Sequence, residues 1–438
     1  MKSLSTVIVW LRNDLRLHDN EALARAMRDA EHVLPVYCFD PRQFAKTSFG
    51  FPKTGAIRAQ FLLESLNDLK ARLQAIGGDL VLRHGKPEKV LPALAKQIAA
   101  EAVYFHEEVT DEELAVEQNL AESLSASGIQ DVSFWGSTLY HLDDIPFNTE
   151  QLPDVFTQFR KSVEKKATVR PTFPTLQAIK LPPNTSESSF EFGSLPTLQE
   201  LGLTETATPD ERAVLPFKGG ETQALKRLSE YFWERDCLRT YKDTRNGLIG
   251  ADYSSKFSAW LALGCLSPRY VYEEVQRYEQ ERIANDSTYW LVFELLWRDF
   301  FRFVARKYDT ALFRRNGIMN VPKAWREDWQ AFERWRTGET GVGFVDANMR
   351  ELLRTGFMSN RGRQNVASYL VRDLNVHWLM GAEWFESHLI DYDVCSNYGN
   401  WNYAAGIGND PREDRYFNIP KQASMYDPHG DYVRRWLK

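Results

Sequence analysis

The sequence lacks the features that mark membrane, metal-binding and disulfide-stapled proteins. Its four cysteines are Cys38, Cys237, Cys265 and Cys395. They stand far apart and form no C-x-x-C spacing, so we predict reduced structural thiols and no metal site. No apolar run reaches the length that spans a bilayer, and the amino end, MKSLSTVIVW, has no signal-peptide architecture. These absences predict a cytoplasmic chain with no membrane partner.

Two catalytic signatures are also missing. No G-x-G-x-x-G follows the first apolar run, where WLRNDLRLHDN stands instead, and this disfavours a dinucleotide bound in the dehydrogenase manner. The polar residues of that stretch, which include Arg12 and Asp14, fit a salt-bridged turn at least as well as a ligand site. There is no nucleophile elbow and no convincing histidine cluster, so serine-type and metal chemistry are disfavoured.

Negative charge is in modest excess, and it is unevenly distributed. The whole chain has a formal charge of −6, which argues against a protein that coats nucleic acid without selection. Residues 298–373 nevertheless hold 15 Lys and Arg against 9 Asp and Glu, a net +6. A basic surface can therefore exist on an acidic protein.

Five short apolar runs alternate with helical patterns in the first third of the chain. The runs are TVIVWL, VLPVYCFD, DLVLRHG, AVYFHEE and DVSFWG, and RAQFLLESLNDLKARLQAI has apolar residues at helical spacing. Nearly continuous apolar runs are typical of buried parallel strands. We therefore predict an α/β doubly wound parallel-sheet N-terminal domain over residues 1–145.

The composition changes twice after this domain. Eight prolines between residues 151 and 216, with the polar run NTSESS, predict an interdomain linker over residues 146–216 that lacks regular structure. From residue 217 the patterns are helical, as in ETQALKRLSEYFWERD, SPRYVYEEVQRYEQER and RQNVASYLVRDLNVHWLMG, which predicts an all-α C-terminal domain over residues 217–438. Eleven of the thirteen tryptophans lie there, either as a bulky core or around a planar ligand.

Each predicted domain contains a polar segment that allows two interpretations. YSSKFSAW, residues 253–260, precedes a helical run, and its hydroxyls suit either a diphosphate site or a simple serine N-cap. In AVYFHEE, Glu107 and Glu108 directly follow a strand, so they either face a ligand at the sheet edge or complement the next helix dipole.

Glu294 interrupts the apolar pattern of WLVFELLWRDFFRF. In a dry pocket its carboxyl would stay protonated and donate a hydrogen bond, whereas on an exposed stripe it would pair with Arg298 at i, i+4. Further along, SNRGRQN and LIDYDVCSNYGNW supply amides, arginines, carboxylates and aromatics. This combination favours a heteroaromatic, phosphate-bearing cofactor.

Five motifs together resemble the photolyase and cryptochrome family. They are WLRNDLRLHDN, YSSKFSAWLALGCLSPR, WRDFFRF, TGFMSNRGRQNVASYLVRDL, and NWNY followed by GNDPREDRYFNIPKQ. The match runs in order from about residue 6 to residue 437, and the last motifs are similar to those of the DASH-type cryptochrome branch. The resemblance implies FAD in the helical domain and a light-harvesting folate, methenyltetrahydrofolate, near the α/β domain. Glu108 matches a folate contact.

The resemblance also implies which residues hold the flavin. The phosphates would be held by Tyr241, Ser254, Ser255, Lys256, Phe257 and Ser258. The ring and the ribityl chain would be surrounded by Arg298, Arg363, Asp391, Asp393 and Asn397. Asn397 matches the position opposite flavin N5, where a neutral amide neither protonates nor repels a reduced anionic flavin.

Trp401, Trp378 and Trp325 match the tryptophans that carry electrons inward to reduce the flavin in light. Trp329 lies one helical turn from Trp325 and could substitute for it. Core packing is an alternative role for each of the four, but a buried relay residue would also be a packed one, so the two roles are compatible.

The implied activity is light-driven splitting of cyclobutane pyrimidine dimers in DNA. An excited reduced flavin donates an electron to the dimer, the ring splits and the electron returns. Protonated Glu294, assisted by Asn360, would donate hydrogen bonds to the dimer carbonyls as they gain charge. Trp297 and Tyr403 would flank the flipped dimer. The DNA-contacting positions are matched by Arg245, Arg361 and Gln422.

Tyr403 bears on the form of the DNA. Many duplex-acting members have Trp at this position, whereas the DASH branch has Tyr, which offers less stacking area. Flipping a dimer out of a duplex costs roughly a few kcal/mol that a single strand largely avoids. We therefore predict a monomeric photolyase-type lyase acting on single-stranded DNA, with the +6 stretch as a phosphate-tracking groove that makes binding salt-dependent. The alternative is a blue-light sensor that binds nucleic acid without turnover.

Overall fold

A five-stranded parallel sheet forms the centre of the first third of the chain. The computed structural model describes residues 4–203, 210–410 and 416–438. The strands are β1 (Leu4–Leu11), β2 (Ala30–Phe39), β3 (Val81–His84), β4 (Ala102–His106) and β5 (Gln130–Phe134), in the sheet order β3-β2-β1-β4-β5. β1 pairs in parallel with both β2 and β4, so Val9 lies opposite Pro35 on one side and Tyr104 on the other. The predicted doubly wound α/β class is confirmed.

Four helices cover the two faces of this sheet. They are α1 (Glu21–Asp29), α2 (Ala56–Ala75), α3 (Pro87–Ile98) and α4 (Asp111–Ser125). Alternate side chains of β1 enter different cores, because successive strand residues point to opposite faces. Ile8 packs with Leu94 of α3 and Leu124 of α4. Val9 belongs to the core on the other face, which continues without interruption into the helical half of the molecule.

The remaining regular structure is helical. The helices are α5 (Phe156–Lys166), α6 (Glu221–Ser229), α7 (Tyr241–Thr244), α8 (Ser258–Ala262), α9 (Pro268–Glu281), α10 (Asp286–Tyr308), α11 (Trp329–Thr337), α12 (Gly343–Thr355), α13 (Asn360–Ser368), α14 (Trp378–His388), α15 (Val394–Ala405), α16 (Ile419–Tyr426) and α17 (Asp431–Leu437). The predicted all-α second half is confirmed over the part of the chain that the structure describes. Among these helices none is long and apolar enough to cross a bilayer.

Helix α5 lies within the predicted linker, so the expected lack of regular structure is wrong for this stretch. Phe156, Phe159 and Val163 are buried at helical spacing and form its apolar face. That face packs against α10, since Phe159 contacts Phe300 with a ring distance of 5.4 Å. The proline-rich composition predicts the irregular chain on either side of α5, but it gives no sign of α5 itself.

The helical pattern over RQNVASYLVRDLNVHWLMG is interrupted. Helix α13 ends at Ser368, a wider helical turn follows over residues 369–373, and α14 begins at Trp378. Asn375 between them has a φ of 50°. Asparagine tolerates this left-handed conformation better than most residues, which allows the chain to turn there.

Buried polar contacts join the sheet domain to the helices. Arg269 of α9 donates to both carboxylate oxygens of Asp19, at 3.0 and 2.5 Å. Asp299 of α10 accepts the backbone N–H groups of Leu139 and Tyr140, each at 2.9 Å. These contacts satisfy charges that burial would otherwise make costly, and they fix α10 against the sheet domain.

Candidate active site

A cavity of about 590 Å³ opens in the helical half. Its walls come from α7, α8, α10, α13, α14 and α15 and from the segments between them. The structure places in these walls every residue that was predicted to hold a flavin: Tyr241, Ser254, Ser255, Lys256, Phe257, Ser258, Arg298, Arg363, Asp391, Asp393 and Asn397. They come from segments more than 150 residues apart in the sequence, so their convergence is a tertiary feature.

The segment before α8 presents hydroxyls beside a buried cation. No side chain caps α8, which begins after Phe257, so the simple serine N-cap interpretation is wrong. Lys256 is buried at a φ of 62°, and its Nζ lies 3.1 Å from Ser254 Oγ and 3.0 Å from the centre of the Tyr253 ring. Burial lowers the pKa of Lys256 well below its ordinary value. Lys256 has no carboxylate at ion-pair distance in the described chain, so a bound anion would supply a counter-charge and favour its protonated form.

On the opposite wall, two acids and an amide have defined partners. Arg363 Nη2 donates to both oxygens of the buried Asp391, at 3.0 and 2.8 Å. Asp393 caps α15 by accepting the N–H of Ser396 at 2.7 Å. Asn397 Nδ2 donates to the Ala382 carbonyl at 3.0 Å, which fixes the orientation of its amide. The wall is therefore preorganised before any ligand arrives.

Glu294 and Arg245 both line the cavity and are 30% and 20% exposed, so they mark its mouth. They form an ion pair in which Arg245 Nη1 lies 2.6 Å from Glu294 Oε1. The alternative partner, Arg298, instead donates to the backbone carbonyls of Ser137 and Leu261. The i, i+4 ion pair considered for Glu294 and Arg298 is therefore wrong. Burial raises the pKa of Glu294 above its ordinary value, while the charge of Arg245 opposes this rise.

Aromatic side chains form a corner of the same cavity. Trp297 and Tyr403 both line it, with ring centres 6.1 Å apart and planes at 86°. One face of Trp297 is covered by Phe156 of α5, which stacks at 3.6 Å and 11°. The two predicted flanking residues thus meet edge to face, and α5 holds Trp297 in position. Asn360, at the start of α13, also lines the cavity and is exposed.

Of the predicted relay tryptophans, Trp401 lines the cavity, while Trp378 and Trp325 are buried side by side around a shared hydrogen-bond acceptor. Trp401 lines the cavity and packs so closely on α14 that a Cβ at Gly381 would lie 2.2 Å from its Cη2. Trp378 and Trp325 donate their indole N–H groups to the same carbonyl, that of Arg315, each at 3.1 Å.

Trp329 is 46% exposed and contacts aromatic rings outside this group, including Phe51 and Phe332.

The three predicted DNA-contacting residues gather on one side of the cavity mouth. Arg245 lines the cavity, and Arg361 lies beside it, because Arg361 Nη2 donates to Asn246 Oδ1 at 3.0 Å. The Arg361 guanidinium lies 4.5 Å from the centre of the Tyr426 ring on α16. Gln422 is on the same helix, one turn earlier.

Glu108, the predicted antenna contact, lies apart from this cavity at the end of β4. It is buried, with its carboxylate oxygens accepting from Arg302 Nη2 at 2.7 Å and from Asn13 Nδ2 at 3.2 Å. Burial would raise the pKa of Glu108, but the charges of Arg302 and Arg12 hold it below its ordinary value. An ionised Glu108 can serve a ligand only as a hydrogen-bond acceptor, and each of its oxygens already accepts one hydrogen bond.

Two family descriptions match parts of this chain. Residues 7–180 match the family description "DNA photolyase", and residues 290–438 match "FAD binding domain of DNA photolyase". A "Cryptochrome DASH" of Gloeobacter violaceus is 58% identical over 435 residues, covering 99% of this chain and 86% of that relative. The chain belongs to the photolyase and cryptochrome family.

Solved structures of family members have the same architecture. A Synechocystis sp. PCC6803 cryptochrome superposes with a TM-score of 0.95 at 56% identity, covering 100% of this chain and 89% of that one. A bacterial class III photolyase from Agrobacterium tumefaciens gives a TM-score of 0.84 at 30% identity, covering 100% and 87% of the two chains.

The residues of this cavity fit the FAD that the family's FAD binding domain carries. The buried hydroxyl of Tyr253 lines the cavity and has no hydrogen-bond partner within the described residues. Together with Lys256 and the serine hydroxyls, it offers polar groups that a ligand's phosphates or sugar would satisfy. The Arg363 and Asp391 pair supplies both a donor and an acceptor on the other wall.

Sequence reasoning missed several residues that shape the site. Phe156 lay in an apparent linker, although the i, i+3, i+7 pattern that it begins was a usable signal. Asp299 is a polar residue within WLVFELLWRDFFRF, and nothing local in that stretch shows that it accepts the backbone N–H groups of Leu139 and Tyr140. The alternating charges of GNDPREDRYF also predict Arg and Asp pairs that support the cavity wall, but they fall partly at residues 411–415, which lie outside the described residues.

Proposed function

We propose that this protein is a photolyase-type lyase that uses FAD and blue light to repair cyclobutane pyrimidine dimers, preferentially in single-stranded DNA. The observation that carries the proposal is one cavity lined by both sets of predicted residues. The predicted flavin residues line this cavity together with the predicted substrate residues Glu294, Asn360, Trp297 and Tyr403, and Arg245 of the predicted DNA contacts lines it as well. Cofactor and damaged base would thus share a single enclosed space.

The residues at the mouth would position the substrate and stabilise its charge. Trp297 and Tyr403 offer apolar surface against which an extruded dimer can stack. Asn360 and protonated Glu294 would donate hydrogen bonds to carbonyl oxygens that become negative during splitting. When bound, a reduced flavin supplies the light-driven electron for ring opening, and the surrounding protein excludes water and holds both partners in place.

Asn397 and the tryptophans would serve the flavin's redox state. The Asn397 amide carries no charge at any working pH, and its hydrogen bond to Ala382 keeps it in one orientation. Trp401, Trp378 and Trp325 would conduct electrons inward. The carbonyl shared by Trp378 and Trp325 supports Trp325, rather than the exposed Trp329, as the outer residue.

The proposed preference for single-stranded DNA rests on Tyr403. Tyr403 offers less stacking area than tryptophan, which favours a single strand because it needs less compensation for unpairing. We propose that the protein acts as a monomer in the cytoplasm. A folate antenna, methenyltetrahydrofolate, would donate to the Glu108 oxygens, which already accept from Asn13 and Arg302 and each retain a second acceptor site.

A repair assay tests the function directly. FAD-loaded protein is illuminated with blue light in the presence of a dimer-bearing oligonucleotide, offered single-stranded or as duplex. We expect repair of the single strand to be the faster. Glu294→Ala should retain FAD and lower repair about tenfold or more, the effect of one charge-assisted hydrogen bond of ~1.5–3 kcal/mol. Binding without splitting in the unaltered protein would indicate the sensor function instead.

A further inference from the structure

The ion pair at the cavity mouth stands between solvent and the proposed substrate pocket. Arg245 Nη1 lies 2.6 Å from Glu294 Oε1, and the two side chains are 20% and 30% exposed. The Arg245 guanidinium also lies 5.3 Å from the centre of the Trp290 ring. Arg245 is therefore partly accessible to an incoming phosphate while it neutralises Glu294.

Two further cations, Arg361 and Lys242, lie close to Arg245. Arg361 is linked to it through Asn246, and Arg361 Nε is buried with no hydrogen-bond partner within the described residues. Burial lowers the pKa of Arg361, and the nearby charge of Arg245 adds to this effect. Lys242 lies over the same Trp290 ring, at 5.1 Å. A phosphate entering this group would relieve repulsion between the cations and compete with Glu294 for Arg245.

No single protonation state of Glu294 suits both partners well. An ionised carboxylate only accepts hydrogen bonds, so it can hold Arg245 but cannot donate to a dimer carbonyl. The neutral acid can donate, but it gains little from an adjacent guanidinium. Since burial favours the neutral form and Arg245 favours the ionised one, the position of Arg245 decides between them.

We propose that a DNA phosphate draws Arg245 away from Glu294 and thereby converts Glu294 from a carboxylate into a hydrogen-bond donor, so that substrate binding takes up a proton. The proton comes from solvent and ends on Glu294. Arg245 keeps its charge throughout and exchanges a carboxylate for a phosphate. This inference rests on the proposed function, because it requires that dimer-bearing DNA binds at the cavity mouth.

The other groups that face Glu294 do not offer an alternative counter-charge. The Tyr241 phenol from α7 stays neutral, because burial and the Glu294 charge raise its pKa well above its ordinary value. Arg298 of α10 is held by the Ser137 and Leu261 carbonyls. Lys242 forms its own ion pair with Asp286 at 2.7 Å. Arg361 is the charged neighbour from α13, and it donates its hydrogen bonds to Asn246 and Gln364.

The sign of the pH dependence follows from these partners. When DNA binds, Glu294 loses both the neighbouring charge of Arg245 and its contact with water, and each loss raises its pKa. The pKa of Glu294 is therefore higher in the complex than in the free protein. Between the two pKa values, binding takes up protons, and affinity for DNA falls as the pH rises through that window. Above both values no uptake remains.

Proton uptake can be measured in the dark with a pH indicator in weakly buffered solution. FAD-loaded protein is mixed with a single-stranded oligonucleotide containing one dimer, at pH values from mildly acidic to mildly basic. We expect uptake approaching about one proton per complex within the window. Glu294→Gln should abolish it. Asp210→Asn, which removes a comparable charge from a remote surface pair with Arg212, should leave it unchanged.

A second variant tests the role of Arg245 itself. In Arg245→Met, Glu294 should already be neutral without DNA, so the free protein should show the infrared carbonyl stretch of a protonated carboxyl and no further uptake on binding. Equal uptake by the unaltered protein and Glu294→Gln would overturn the inference, as would repair without any uptake. Failure to bind or repair dimer-bearing DNA would instead overturn the proposed function.

Discussion

At the scale of single residues, the choice of partner determines what a side chain can do. Trp325 and Trp329 are nearly equivalent in the sequence, four positions apart in a Trp-rich region. In the structure Trp325 is 8% exposed and shares the Arg315 carbonyl with Trp378, whereas Trp329 packs against Phe51 and Phe332. Buried neutral His377 lies 6.0 Å from Trp325 and 6.5 Å from Trp378, between ring centres.

This geometry predicts different effects of two matched substitutions. Trp325→Phe should slow the photoreduction of bound FAD by an external reductant, because the outermost oxidisable ring next to Trp378 is removed. Trp329→Phe should leave the rate unchanged, and it serves as the control. Both rates can be followed by the loss of oxidised flavin absorbance under blue light. A slower rate in Trp329→Phe alone would assign the outer position to Trp329.

At the scale of elements, helix α5 supports the active site from outside the helical domain. Its residue Phe156 stacks on Trp297, and its apolar face is held by α10. A side chain that must stack on substrate is more effective when its own position is fixed by packing. The predicted linker therefore contributes an element to the site, in addition to connecting two domains.

Phe156→Leu tests this contribution while keeping the position apolar. We expect a modest loss of stability, roughly 1.5 kcal/mol, and about tenfold weaker binding of dimer-bearing single strands, because stacking is worth ~1–3 kcal/mol per base. Phe147→Leu is the matched control, since Phe147 contacts Phe159 but not Trp297 among its ring contacts in the described chain. Equal affinity in both variants, measured by fluorescence anisotropy, would contradict the proposed support.

At the scale of the whole molecule, one core and a few buried polar contacts unite the two halves. The core on one face of the sheet is continuous with that of the helices. Asp299 is fully buried in α10 and satisfies two backbone N–H groups that follow the sheet domain. Burial raises its pKa to about 7. Its contacts tie α10, and with it one wall of the cavity, to the first third of the chain.

Asp299→Ala should therefore destabilise the whole protein. Two buried N–H groups would lose their acceptor, at ~1–3 kcal/mol each, so we expect the free energy of unfolding to fall by roughly 2–6 kcal/mol. Asp431→Ala removes an exposed acid from a surface pair with Arg434 and should stay within about 0.5 kcal/mol of the unaltered protein. Urea unfolding followed by circular dichroism provides the measurement. An unchanged midpoint in Asp299→Ala would show that other contacts hold the interface.

The amino-acid sequence alone predicts the parallel strands, the helical second half and the residues that line the cavity. Continuous apolar runs indicate strands that are buried on both faces of the sheet. Long motifs identify the predicted flavin segments, although they carry no information about the distance between those segments in space. Tertiary structure decided the partner of Glu294, the position of Trp325 and the presence of α5 beneath Trp297. Arg245 precedes Glu294 by 49 residues, and Phe156 precedes Trp297 by still more. Which of several polar or aromatic groups reaches a side chain depends on how distant elements pack, and local periodicity carries no information about that.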